Sequence, residues 1–502
     1  MVAALISQLI YTPTTYAKSS DKPNIVIILA DDMGFSDIGC YGGEIRTPAI
    51  DSLARDGMRF SQFYNCAKCN TTRASLLTGL YHRNGGKLQT DMVTIAEVLR
   101  PAGYRTALSG KWHLGSRAPR RPYDRGFDRY FGLMDGCCNF FNPLQRDPKF
   151  KGGRVRVMGR DDKLLTEFPD DFYMTDAISD EAIESIGVFH REQKPFFLHV
   201  TYTAPHYPLH ALPEDIAKYA GKYMQGWEKL RHERYARLLK TGLIDKRWKL
   251  PPIEQRAGSW EKAKAKKWQD LRMAVYAAMI DRMDQGIGRI LKKLDEAGIA
   301  DNTLVMFLSD NGGCAETYPG DRPENAPGPK ENYVTCGPGW AAAQNTPFRR
   351  YKSWVHEGGI STPMIARWPA KIKPGSLTHQ VAHLIDFMPT CLELAGAQYP
   401  QQFKGEKIIP VEGRSLLPIL FGETRQPHET LYWQWSRTAA VRQGKWKAVS
   451  TNRGQTWELY DMQADRTELN DLAKTHPQRA AALSQLWHQW ATKTGNGPRL
   501  IP

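Results

Sequence analysis

Three short apolar runs in this chain each stop at a set of hydrogen-bonding residues, and that arrangement restricts the fold more than any other feature. Asn24 to Ala30 (NIVIILA) ends at Asp31-Asp32, Thr303 to Ser309 (TLVMFLS) ends at Asp310-Asn311-Gly312-Gly313, and Pro195 to Tyr202 (PFFLHVTY) leads into Ala204-Pro205-His206. Runs without polar alternation suit strands covered on both faces. Amphipathic stretches lie between them: Thr47 to Asp56, Thr94 to Pro101, and a long one from about Asp270 to Ala297 with Met273, Ala277, Ile280, Ile287, Leu291 and Leu294 at helical spacing. Strands alternating with helices predict an α/β fold, a large mixed and mostly parallel sheet flanked by helices. Beyond about Glu412 the pattern shortens to Thr430–Trp435, Ala439–Arg442 and Trp446–Ser450, followed by a helix from about Gln478 to Thr492. That predicts a smaller C-terminal antiparallel sheet with one packed helix. The expected division is a signal-like or disordered segment at 1–21, a main α/β domain at 22–397 with a charged helical insertion at 214–267, and an α+β subdomain at 412–502.

In sheets of this kind ligands gather beyond the carboxyl ends of the strands, where this chain places its polar residues. Asp31, Asp32, Asp310 and Asn311 are hard oxygen donors, suited to calcium or magnesium rather than zinc; each pair alone also fits ordinary turn capping. In Cys69-Asn70-Thr71-Thr72-Arg73, Asn70 reads as an N-cap and Thr71 to Leu80 as the helix. Cys69 then sits just before a positive helix end with Arg73 in the first turn, an arrangement built for an anion. A buried cysteine beside a surface arginine is the plainer alternative. Cys66-x-x-Cys69 also fits a redox pair or a disulfide. Lys111 and His113 follow a short candidate strand, Tyr104 to Leu108, and point the same way if that segment stays extended. A surface pair is the competing reading. His206 lies between Pro205 and Pro208, a rigid setting for a ring. His210 reads as its neighbour or as a solvated side chain, and Lys352 as part of a basic loop.

The chain has 502 residues, 41% hydrophobic and 24% charged, with a net charge of +15 spread along its length. These proportions belong to globular proteins with sizeable cores. The positive balance favours polyanionic surroundings or substrates, among them nucleic acid, acidic membranes and sulfated or uronic-acid glycans. Zinc-finger spacing and an arginine-rich arm are both missing, which argues against nucleic acid. No internal stretch is long and apolar enough to span a membrane. The first 17 residues, MVAALISQLIYTPTTYA, carry no charge and hold a short apolar stretch ending in Thr15-Tyr16-Ala17, which resembles a secretion signal with its cleavage site, so a periplasmic or secreted location is expected.

In their order, KPNIVIILADDMGFSDIGCYGG, TPAIDSLARDGMRFSQFY, CNTTRASLLTG, GYRTALSGKWHLG, TAPHYPLH, LSDNGG, PTCLELAG and ELYDMQADRTELNDLA resemble the sulfatase family of the alkaline-phosphatase-like superfamily. The resemblance implies that a maturation enzyme converts Cys69 to formylglycine. It further implies that calcium binds Asp31, Asp32, Asp310, Asn311 and residue 69. By the same likeness, Arg73, Lys111 and His113 orient the aldehyde hydrate, while His206 and Lys352 hold sulfate or assist the leaving group. Such an enzyme removes sulfate from a sulfated carbohydrate or an aryl sulfate. One hydroxyl of the hydrate attacks sulfur and the alcohol departs with a proton, for which His206 is the expected donor. The second hydroxyl then loses its proton, to His113, and sulfate is expelled. Thr71 departs from the proline or alanine usual in relatives, within the segment the maturation enzyme reads. Two alternatives stay open: a phosphodiesterase or phosphonate hydrolase of the same superfamily, and a non-catalytic glycan binder carrying an unconverted Cys69.

Overall fold

The computed structural model describes residues 22–496; the leader-like segment expected at 1–21 lies outside the described residues. The main sheet draws eleven strands from the first 383 residues. They are β1 (Asn24–Ala30), β2 (Met58–Tyr64), β3 (Arg105–Gly110), β4 (Arg129–Leu133), β5 (Met158–Arg160), β6 (Lys163–Leu164), β7 (Phe196–Thr201), β8 (Thr303–Ser309), β9 (Ser361–Arg367), β10 (Ser376–Thr378) and β11 (Ala382–His383). Their order is β10-β2-β9-β8-β1-β7-β3-β4-β5-β6, with β11 also on β2. The three apolar runs lie side by side and parallel as β8, β1 and β7, so their polar termini emerge at one edge of the sheet. The predicted architecture, mixed and mostly parallel, is the one formed.

Successive side chains of β1 enter opposite cores, as the strand period requires. Val26 and Ile28 pack with Met273, Ile280 and Ile287 of the helix Lys266–Glu296 and with Ile178 of the helix Met174–Arg191. Ile25, Ile27 and Leu29 face Leu76, Ile95 and Met388 on the other side. That second core runs on without a break into the C-terminal part, through Trp433, Val441 and Trp487. There four strands, Leu431–Trp435, Thr438–Gln443, Trp446–Ser450 and Glu458–Asp461, form an antiparallel meander against the helix Pro477–Thr494. Between Pro213 and Lys266 the charged segment holds two helices, Pro213–Ala217 and Trp227–Thr241, and is otherwise irregular.

A buried ionic cluster ties the two parts together. Glu357 accepts from Lys447 Nζ at 2.7 Å and from Arg466 Nε at 2.8 Å, and Lys447 also reaches Glu468 at 2.8 Å. Burial pushes the Glu357 carboxyl up, but Lys447 and Arg466 outweigh it and hold it at about 2. Between that value and the unfolded value near 4.3 the unfolded chain binds more protons, so the contribution to stability is present above roughly pH 4.3 and is lost as pH falls through the folded pKa. Breaking a buried pair costs about 3–5 kcal/mol, and Glu357→Gln should fall near the lower limit because Glu468 still neutralises Lys447. Denaturant unfolding at neutral pH checks the loss. Unfolding in acid should show a flatter pH dependence for the variant than for the parent, and parallel profiles would remove Glu357 as the cause.

Candidate active site

The polar edge of the central strands gathers all ten candidate residues, nine of them buried and His113 half-buried. Asp31 and Asp32 follow β1, and Asp310 and Asn311 follow β8. Because those strands pair in register from Asn24↔Thr303 to Ala30↔Ser309, the two dyads are set opposite each other. The Asp32 N–H donates to Asp310 Oδ1 at 3.2 Å, and Asn311 Nδ2 donates to Asp32 Oδ1 at 2.7 Å. Asp32 adopts φ 66°, an uncommon conformation for a residue with a Cβ, where the chain turns out of the strand.

Cations close the site from three directions. Arg73 Nη2 lies 2.8 Å from Asp310 Oδ2 and 3.8 Å from Asp31 Oδ1. Lys111 Nζ lies 2.5 Å from Asp31 Oδ2, and Lys352 Nζ lies 2.7 Å from each Asp32 oxygen. Burial disfavours charge on Lys111 and Lys352, yet the facing carboxylates, Asp31 and Asp32 respectively, raise both pKa values above the ordinary lysine range. Asp31 moves up through burial and the nearby Asp310 charge, against the pull of Lys111 and Arg73.

Cys69 Sγ lies 3.3 Å from His113 Nδ1 and, with one oxygen each from Asp31 and Asp310, forms a set of donor atoms within 4.8 Å of one another. His206 Nδ1 is 2.6 Å from the Tyr207 carbonyl oxygen, which only accepts, so Nδ1 carries the hydrogen and Nε2 faces Asp32 Oδ2 at 3.4 Å. Burial, followed by Lys and Arg charges, lowers the pKa of both histidines: Lys111 and Arg73 at His113, Lys352 and Lys111 at His206.

Several local expectations need correction. The helix is Cys69–Thr78 with Lys68 at the N-cap position, so Cys69 is its first residue rather than the one before it. Asn70 does not cap; its amide is drawn to the Gly85 carbonyl. The Thr71 hydroxyl bonds the Cys66 and Lys68 carbonyls, and the Thr72 hydroxyl accepts from Cys66 N–H, which starts the coil earlier. Cys66 and Cys69 are not bridged: the Cys66 thiol contacts Ser75 and His383, whereas Cys69 Sγ contacts His113. Lys111 and His113 both reach the site, but not as an extended pair. The chain turns at Gly110, where φ is 120° and a Cβ would meet the Thr201 carbonyl at 1.9 Å, and again at His113, with φ 60°. His210 is a buried structural residue, its Nε2 2.9 Å from the Asn332 carbonyl oxygen. Lys352 is buried against Asp32, not in a solvated basic loop.

Sequence reading missed a second rank of charged residues beside Cys69. Lys68 pairs with Glu316 at 3.0 Å, and Tyr318 Oη donates to the other Glu316 oxygen at 2.5 Å. Lys68 immediately precedes Cys69 and Glu316 stands five residues beyond Asn311, which is the one signal the sequence offered.

The family description Sulfatase matches residues 23–397. The chain belongs to the sulfatase family. A second description, N-sulphoglucosamine sulphohydrolase C-terminal, matches residues 349–494 of this sulfatase. It is 32% identical to an uncharacterized sulfatase of Schizosaccharomyces pombe, covering 95% of this chain and 94% of the relative. It is 34% identical to an arylsulfatase of Klebsiella aerogenes, covering 83% and 96% respectively. The crystal structure of Ps i-CgsB in complex with k-i-k-neocarrahexaose superposes with a TM-score of 0.68 at 27% identity, covering 94% of this chain and 93% of that one. The sulfatase described here is accordingly a sulfuric ester hydrolase.

Proposed function

We propose that this sulfatase removes sulfate from a sulfated carbohydrate or an aryl sulfate, using a formylglycine hydrate derived from Cys69 and a calcium ion. The convergence of Asp31, Asp32, Asp310 and Asn311 on Cys69 carries the proposal. The donors fit calcium: all are hard oxygens, and Asp31 Oδ1 and Asn311 Oδ1 are buried without a hydrogen-bond partner. The charges fit as well. Three carboxylates face three cations, Arg73, Lys111 and Lys352, so a divalent ion leaves the site positive enough to receive a sulfate ester.

When present, calcium neutralises charge on the sulfate oxygens, and the hydrated aldehyde offers a hydroxyl to attack sulfur and a second one to be deprotonated. In this assignment Arg73 and Lys111 hold the acidic edge and orient residue 69. His113, 3.3 Å from Sγ, is the base for residue 69, Lys352 holds the sulfate, and His206, once doubly protonated, passes its Nε2 proton to the departing alcohol and returns to the Nδ1–H form.

An arylsulfatase and an N-acetylgalactosamine-6-sulfatase are both among the relatives, and the net charge of +15 leans towards a sulfated glycan. We extend the proposal to a periplasmic or secreted location and to a catalytic domain at 22–397 followed by a C-terminal subdomain at 412–502. No helix among the described residues is long and apolar enough to cross a membrane.

Mass spectrometry of the peptide containing residue 69, paired with turnover of aryl sulfate against aryl phosphate diester, tests the reading. The expected result is a peptide that has exchanged SH₂ for O and a preference for the sulfate. Preference for the diester identifies a phosphodiesterase or phosphonate hydrolase, and an unconverted thiol with retained glycan binding identifies a binder. Calcium added to chelator-treated protein should also raise Tm, and Asp310→Asn should abolish that rise. An equal rise in both proteins would place the ion elsewhere.

A further inference from the structure

The loop after β4 carries a run of cations beside the site, and they divide into two kinds. Arg154 pairs with Asp135 at 2.6 Å and Arg156 pairs with Asp147, so these two fasten the loop. Among the described residues Lys149 and Lys151 form no ion pair, although the neighbouring carboxylates Asp135 and Asp147 are already taken by the arginines. Lys151 Nζ instead rests 3.8 Å from the centroid of the Tyr318 ring and 5.0 Å from that of Tyr207. A cation over a phenol ring near the surface is held weakly. The ammonium is therefore available to an anion.

Two chains of contact place Lys151 at the rim of the reacting centre. Tyr207 directly follows His206, and Tyr318 bonds Glu316, which bonds Lys68 next to Cys69. On the other side Gly136 packs so closely on His113 that a Cβ would lie 2.8 Å from its ring, while Cys137 clusters with Tyr207 and Tyr333. Tyr207 is 6% exposed and its hydroxyl has no hydrogen-bond partner.

We propose that Lys151, seated over the Tyr318 and Tyr207 rings, provides a subsite for a second anionic group of the substrate, a sulfate or carboxylate on the part of the glycan beyond the scissile ester. The inference rests on the sulfated-glycan branch of the function proposed above. It makes the preferred substrate a multiply charged glycan rather than a monosulfated sugar.

The test compares Lys151→Ala and Lys151→Arg with the parent on 4-nitrophenyl sulfate, a monosulfated disaccharide, a disaccharide with one sulfate on each ring, and a sulfated disaccharide containing a uronic acid. Binding of the same disaccharides is followed by calorimetry. For a doubly charged disaccharide, Lys151→Ala should lower kcat/KM roughly tenfold through KM, with weaker binding, and arginine should restore most of it. Turnover of 4-nitrophenyl sulfate and of the monosulfated sugar should stay within about twofold. Which doubly charged sugar responds identifies sulfate or carboxylate as the ligand. Equal losses on all substrates, or unchanged binding of both doubly charged sugars, would overturn the subsite. A parent protein that turns over no sulfate ester, yet loses disaccharide affinity on Lys151→Ala, would instead count against the hydrolase reading.

Discussion

Cys69→Ala should lower turnover of an aryl sulfate by about four orders of magnitude or more, with Tm close to that of the parent. On the proposed reading, the chemical reason is the loss of the side chain from which the nucleophile is made. Cys69 Sγ sits between His113 Nδ1 and the oxygens of Asp31 and Asp310, where neither an arginine nor a lysine of the site can replace it. Stability should survive because the thiol makes a single polar contact, to His113 Nδ1. The helix Cys69–Thr78 is held by the Thr71 and Thr72 hydroxyls and by Arg73, which also donates to the Lys111 carbonyl at 2.8 Å. Alanine deletes one sulfur beside polar neighbours, not a core side chain. Circular dichroism and thermal unfolding separate the two effects. A variant that retained a tenth of the parent activity would remove residue 69 from the chemistry altogether.

Much of this site was legible because strand ends are rigid. Asp31-Asp32 and Asp310-Asn311 follow unbroken apolar runs, and a parallel sheet leaves such runs few places to go but side by side. Residues that reach the site through turns were harder to see. Lys352 sits in a segment whose local composition is merely basic, and only the path of the chain from Thr346 to Glu357 buries its ammonium on Asp32. Lys68 and Glu316 meet across 248 positions, a pairing that no periodicity encodes. Strand β9 was hidden by Pro363, which suits a strand interior poorly. The ladder accommodates it: register with β2 shifts between Phe60 and Phe63, and the Thr362 hydroxyl accepts from Ser309 N–H. Strand β2 pairs antiparallel with β9, so the mixed character of the sheet on that side rests on those same concealed residues.

The roles of the two histidines separate most clearly in a leaving-group experiment. His206→Ala should reduce kcat for a sugar sulfate by roughly 10²–10⁴, the usual worth of general acid catalysis, while changing turnover of 4-nitrophenyl sulfate by less than about tenfold. An alkoxide departing from a sugar needs a proton as its bond to sulfur breaks, whereas nitrophenolate leaves unaided. The geometry suits the assignment. The Tyr207 carbonyl fixes the hydrogen on Nδ1 at 2.6 Å, so Nε2 alone can exchange a proton with substrate, and it points to the carboxylate side of the centre. His113 is placed differently, 3.3 Å from Cys69 Sγ, and should serve residue 69 rather than the alcohol. His113→Ala is therefore expected to slow both substrates alike. If His206→Ala slowed the nitrophenyl ester as severely as the sugar sulfate, His206 would be holding sulfate in place, and the proton for the alcohol would have to come from another group.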